Sequence, residues 1–167
     1  MSTPARSDEE WMARAILLAT QEKGTDPANT PIAALVVRGG QLVAEGVNRT
    51  AEHCDPTAHA EIEALRAACR AVGTMQVRGA TLYTTLQPCG MCTMASIWAG
   101  VERIVFGAGR SDVHRMYFED RHLDTVDFIR DAFKKDLTLD GGVLPHECAR
   151  LYFGPEDDVP EDQQANT

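Results

Sequence analysis

Short apolar, β-branched runs alternate with stretches of helical composition along this chain, and that alternation narrows the folds open to it. Residues 32–37 and 42–47 are two such runs on either side of Gly39-Gly40, which predicts a β-hairpin. Residues 81–86 and 101–106 are further strand runs, and residues 137–144 read as an edge strand. Helices are expected over residues 8–22, 58–71, 89–99, 126–133 and 146–153. Asp8 suits the N-cap of the first, with Trp11, Ile16, Leu17 and Ala19 near one face. Gly73 and Gly100 close the second and third. The order αββαβαβ, then α, β and α, covers a sheet on both faces. It predicts an α/β chain, a three-layer α/β/α sandwich whose opening hairpin makes the sheet mixed.

The 167 residues suit one domain with a core that needs no disulfide staples. Residues 8–153 are the expected domain, residues 1–7 a loose arm, and residues 154–167 an acidic, disordered tail. Residues 156–162 hold five carboxylates and no base. No apolar run approaches the roughly 20 residues that cross a bilayer, so no membrane partner is expected. The polar, acidic N-terminus lacks the layout of a secretory signal, which points to the cytoplasm. A net charge of −9 disfavours nucleic acid as a partner, because phosphate binding rests on Lys and Arg.

Five cysteines, an odd number, argue against a disulfide framework. Two of them form a Cys-x-x-Cys pair within Gln87-Pro88-Cys89-Gly90-Met91-Cys92, and a second cluster is Thr57-Ala58-His59-Ala60-Glu61. Each falls at the start of a predicted helix, where ligands gather in α/β sheets. A helix puts Cys89 and Cys92 on one face, with the positive end of its dipole favouring thiolates. With His59 they make a donor set that suits zinc and leaves a fourth position for water. Such a water falls from a pKa of about 15.7 to about 7. A carboxylate beside it, here Glu61, is suited to carry protons rather than to ligate. His59 and Glu61 are two apart and share a site only at the helix start. Two other readings stay open on these residues. One is a redox pair; the other is a closed zinc site completed by His53, Cys54, Cys69, His114 or Cys148.

His-x-Glu followed by Pro-Cys-x-x-Cys is the signature of zinc deaminases. The chain adds Pro31-Ile32-Ala33-Ala34-Leu35-Val36-Val37, Gly46-Val47-Asn48, Asp55-Pro56 before Thr57, Leu82-Tyr83-Thr84-Thr85-Leu86 before Gln87, and Val101-Glu102-Arg103-Ile104-Val105-Phe106-Gly107. On these residues it resembles the cytidine deaminase-like superfamily over residues 8–153. Within it, the chain looks like the branch of bacterial guanine deaminases, yeast-type cytosine deaminases and tRNA adenosine deaminases. The resemblance implies a five-stranded mixed sheet, one zinc per subunit on His59, Cys89 and Cys92, Glu61 as the catalytic proton carrier, and a homodimer. It also implies substrate contacts from Asn48, from the Ala60 backbone N–H, and from a wall around Ala33, Ala34 and Pro88. Two departures stand out. Ile32-Ala33-Ala34 replaces the Phe-Gly-Ala of many relatives, which removes an aromatic wall, and Gly90 and Thr93 fill slots where relatives often carry Pro and Ala or Leu.

The Asp55-to-Glu61 run looks especially like guanine deaminases, in which Asp112 would match an acidic residue near the substrate. Read alone, Asp112 suits a loop or N-cap acid equally. Trp98 and Tyr117 are candidates to stack on a base, although Trp98 suits the core side of its helix. The expected reaction is hydrolytic deamination of a small-molecule nucleobase or related heterocycle, guanine first and cytosine or a nucleoside next. Water oxygen adds at the carbon bearing the amine, Glu61 moves the protons and ammonia leaves, with no organic cofactor. The alternatives are a tRNA adenosine deaminase, for which residues 146–153 offer only Arg150, and a zinc-stabilised scaffold, which has no need of Glu61.

Overall fold

A computed structural model of the chain describes residues 6–22, 30–118 and 137–159. Ser7, not Asp8, caps helix α1 (Asp8–Glu22). The Ser7 carbonyl accepts the Trp11 N–H at 3.1 Å, its hydroxyl accepts the Glu10 N–H at 3.3 Å, and the Glu10 carboxylate takes the Ser7 N–H at 2.7 Å. This reciprocal pair is a capping box, which the sequence Ser-x-x-Glu already spells. Asp8 is thereby released for a task in the tertiary structure. Its two oxygens accept from the Arg103 guanidinium at 2.8 and 2.7 Å, and the Tyr83 hydroxyl donates to it at 2.8 Å.

Strands β1 (Ala33–Arg38) and β2 (Gln41–Val47) form the expected hairpin. Gly39 and Gly40 have φ of 59° and 73°, the left-handed pair that a primed two-residue turn requires. Strands β3 (Ala80–Leu86), β4 (Arg103–Ala108) and β5 (Thr138–Asp140) complete a five-stranded sheet of order β2-β1-β3-β4-β5. β1 runs antiparallel to β2 and β3, while β3, β4 and β5 are parallel, so the sheet is mixed as expected.

The period-two alternation of the strands feeds two cores. On one face Leu35, Val37, Tyr83 and Val105 pack with Trp11, Met12 and Ala15 of α1 and with residues near the C-terminus. On the other, Ala34, Val36, Leu82 and Ile104 pack with Ala60, Ala64, Leu65 and Ala68 of helix α3 (Ala60–Val72). A short helix, α2 (Thr50–His53), stands in the stretch between β2 and α3 that reads as loop from sequence.

Towards the C-terminus the elements are shorter than expected. β5 keeps three residues because Gly141-Gly142 follow it, and helix α5 (Pro145–Ala149) starts on its proline and stops well before residue 153. In the stretch expected as tail, the Gly154 N–H bonds the Asp157 carboxylate at 2.6 Å and Val159 is buried. The helix expected over residues 126–133 and the segments 1–5 and 160–167 lie outside the described residues.

Candidate active site

Two helix starts face each other at the end of the sheet where β3 and β4 finish. His59 immediately precedes α3 with extended φ/ψ of −67° and 154°, and Cys89 precedes helix α4 (Gly90–Trp98) with −74° and 172°. Neither side chain caps its own helix. β3 delivers Cys89 through Gln87, whose N–H bonds the Ala108 carbonyl at 2.8 Å. Two hydroxyls pin the backbone at the cysteines. Thr93 Oγ1 donates to the Cys89 carbonyl at 2.9 Å and Ser96 Oγ donates to the Cys92 carbonyl at 2.8 Å. Thr93, a departure from the relatives, thus has a role at the site. A side-chain carbon on Gly90 would meet nothing within 4 Å, so sterics do not explain that glycine.

The Nδ1 of His59 lies 3.8 Å from Cys89 Sγ and 3.6 Å from Cys92 Sγ, and the three donor atoms all fall within 4.8 Å of one another. The Cys92 thiol donates to the Cys89 sulfur and, with His59, pulls the Cys89 thiol down to about 4, against the cost of burial. Cys92 moves the other way, raised by its bond to the Cys89 sulfur and by burial. Glu61, in the first turn of α3, is 4% exposed. Burial, and then the negative Cys89 sulfur, raise its carboxyl to about 7, with His59 opposing. The structure therefore brings all four expected chemistry-bearing residues into one cluster. Among the described residues His53, Cys54, Cys69, His114 and Cys148 stand outside the metal-type grouping, which removes the closed structural site. All five cysteines are free thiols.

The residues expected at the substrate take the following places in the fold. Asn48 follows β2 and is 8% exposed; its N–H bonds the Ile32 carbonyl at 3.1 Å and its Nδ2 donates to Thr50 Oγ1 at 3.3 Å. The side-chain Oδ1 has no partner among the described residues. Ala60 is the first residue of α3, where a backbone N–H has no acceptor within the helix. Ala33 and Ala34 are fully buried at the start of β1, and Pro88 is buried beside Cys89. Asp112 lies in the turn after β4, where its Oδ2 accepts the Gly109 N–H at 2.8 Å. The structure thus gives that carboxylate a backbone partner, the loop-acid reading of the sequence.

Trp98 corrects an expectation. It is 72% exposed, because α4 turns Cys92, Thr93 and Ser96 inward and leaves Met91 and Trp98, seven residues apart, facing out. Tyr117 packs edge-on against Tyr152 with ring centroids 5.2 Å apart. Sequence reasoning missed Tyr152 and Thr85, whose hydroxyls meet at 2.7 Å. A threonine in a strand and a tyrosine in an apolar run carry no signal of a pairing 67 positions apart.

The family profile described as the cytidine and deoxycytidylate deaminase zinc-binding region matches residues 5–108, a stretch that contains both halves of the site. The chain belongs to that deaminase family. Its relatives include the guanine deaminase of Bacillus subtilis, 36% identical over 112 residues, which are 67% of this chain and 71% of that one. Among solved structures, guanine deaminase from Nitrosomonas europaea superposes with a TM-score of 0.77 at 27% identity, covering 87% of this chain and 82% of that one. A structure from work on tRNA:A34 deaminases superposes with a TM-score of 0.71 at 32% identity, covering 85% of this chain and 98% of that one. The chain is thus an enzyme of the hydrolytic deaminase family. Its cofactor is zinc, and the two sulfurs and one imidazole of the cluster fit that ion by donor type and by spacing. Among the described residues no helix is long and apolar enough to cross a membrane.

Proposed function

We propose that the chain deaminates a free nucleobase, guanine first, in a site where His59, Cys89 and Cys92 hold zinc and Glu61 carries the protons. When bound, zinc supplies the Lewis acid that makes a water acidic enough to act as a nucleophile near neutral pH. The chain's own groups do the rest. The Glu61 carboxylate would accept a proton from that water and pass it to the ring nitrogen next to the carbon under attack, then take the remaining proton of the added hydroxyl and deliver it to the departing amine, leaving a carbonyl and ammonia. Asn48 Oδ1 accepts from a ring N–H, and the Ala60 N–H donates to a ring or carbonyl acceptor. Ala33, Ala34 and Pro88 wall the base, and Asp112 steadies the turn beside it.

The observation that carries the free-base reading is the charge of the C-terminal segment. α5 ends at Ala149, and Glu156, Asp157 and Asp158 follow with no Lys or Arg between them and Arg150. An RNA substrate would bring phosphates to a chain whose 25 acidic side chains outnumber its 16 basic ones. The second reading, a tRNA adenosine deaminase, draws on the overlap with the tRNA:A34 deaminase structure. Ammonia release across guanine, adenine, cytosine, their nucleosides and an anticodon stem-loop separates the two. Turnover of guanine and none of the stem-loop is expected; the reverse would end the free-base reading. Free thiols at all five cysteines accord with a cytoplasmic site of action. The outward Met91 and Trp98 on α4 support a homodimer, which light scattering checks by a mass of twice the 18.2 kDa chain.

A further inference from the structure

The turn after α5 carries a buried phenol for which the chemistry above has no use. Tyr152 is 8% exposed, and its hydroxyl lies 2.7 Å from that of Thr85, a fully buried residue of β3. Thr85 Oγ1 in turn accepts the Ala33 N–H at 3.2 Å. Ala33 opens β1 and pairs with Val47, directly before Asn48, whose own N–H bonds the Ile32 carbonyl. A phenol, a hydroxyl and a backbone N–H therefore connect the C-terminal segment to the two places where the substrate wall is built.

The turn that delivers the phenol is itself held. The Phe153 N–H donates to the Tyr117 hydroxyl at 3.2 Å, the Phe153 carbonyl accepts the His114 N–H at 2.7 Å, and the Tyr117 ring stands edge-on to Tyr152. Burial above all keeps the phenol protonated, against its bond to Thr85. Ala33 and Ala34, with one side-chain carbon each, offer no bulk of their own to fix this edge of the pocket. A hydroxyl clamp from behind the sheet supplies what the missing aromatic would.

We propose that Tyr152 is a positioning residue of the deaminase site, fixing the start of β1 through Thr85 and Ala33 so that the chain's own C-terminal segment sets how tightly the substrate is held. This rests on the reading of Ala33 and Asn48 as the substrate wall. Tyr152→Phe removes the hydroxyl and leaves the ring in place.

The test measures KM, kcat and melting temperature of zinc-loaded wild type, Tyr152→Phe, Thr85→Ala, Thr85→Ser and the double variant Tyr152→Phe/Thr85→Ala. The substrate is whichever compound of the panel above the wild type turns over fastest. Loss of one buried hydrogen bond raises KM about five-fold in Tyr152→Phe and in Thr85→Ala, with kcat within about two-fold. Thr85→Ser restores KM, and the double variant is no worse than Thr85→Ala because the two act as one unit. A tyrosine that only fills space would leave KM unchanged in Tyr152→Phe, and that result overturns the proposal, as does full additivity in the double variant. Should Thr85→Ala fail to fold, Tyr152→Phe decides alone. A fastest substrate other than guanine refutes the guanine reading and leaves this comparison intact.

Discussion

Single side chains at this site are defined by the partners the fold withholds from them. Asn48 is buried, yet its Oδ1 accepts from no described residue, whereas its Nδ2 is taken by Thr50. A buried acceptor left unpaired costs about 1–3 kcal/mol, which a substrate N–H would recover under the proposed role of Asn48. Asn48→Ala is therefore expected to raise KM by about ten-fold or more in steady-state assays while zinc content stays at the wild-type level. An unchanged KM would take Asn48 out of the substrate site. The three residues of the metal-type cluster and Glu61 were legible because spacing relates Cys89 to Cys92, both motifs fall at helix starts, and together they spell one signature. Trp98 misled because apolar character does not say which face of α4 is buried. The Tyr152–Thr85 pair was invisible because no local rule links two hydroxyls so far apart in sequence.

Elements position those side chains, and two contacts between elements set the frame. Gly46 of β2 lies directly on α3. A side-chain carbon there would overlap the Ala64 backbone nitrogen and stand 2.6 Å from the Ala60 carbonyl oxygen. Helix backbone cannot yield as a flexible side chain can, so Gly46→Ala must shift the first turn of α3 and with it Ala60 and Glu61. Ammonia release is expected to fall at least about ten-fold, since small misplacements at a reacting centre are costly. Wild-type turnover in that variant would show that the close approach does not position Glu61.

The second contact is the Asp8 carboxylate, which ties α1 to β3 and β4 through Tyr83 and Arg103, while Arg103 Nε also donates to Asp140 of β5 at 2.6 Å. The Arg103 guanidinium holds the Asp8 carboxyl below its ordinary value of 3.8. A carboxyl depressed by folding contributes stability above its unfolded pKa and loses it as the pH falls through the folded one. Asp8→Asn should therefore lower the melting temperature by about 2–4 °C at pH 7, for a half-exposed pair worth about 1 kcal/mol. The difference from wild type should shrink as the pH drops below 3.8. Equal melting temperatures at pH 7 would reduce the pair to a surface contact. The strands and main helices were legible from periodicity and turn glycines. Asp8 was read as a cap because Ser7 and Asp8 are both good caps, and only the Glu10 carboxylate returning to Ser7 decides between them.

The molecule as a whole places a chemically demanding cluster at one end of a mixed sheet, with a helix start from each of two crossovers meeting there. That arrangement follows from strand order. β3 and β4 are parallel neighbours, so α4 between them must begin at the end of the sheet where β3 finishes, and α3 reaches the same end after the hairpin. Fold class and sheet type were legible from the alternation of strand and helix runs. The short C-terminal elements were not, since their lengths follow from Gly141-Gly142 and Pro145 acting against otherwise regular patterns. Net charge bears on the proposed choice of a small substrate over a polyanion through the whole surface rather than at any one residue. The most direct measurement is zinc content and ammonia release on one preparation of Glu61→Gln. About one zinc per chain is expected, as in wild type, with turnover reduced at least about 100-fold; a zinc-loaded variant that releases ammonia at the wild-type rate would contradict the role of Glu61 as proton carrier.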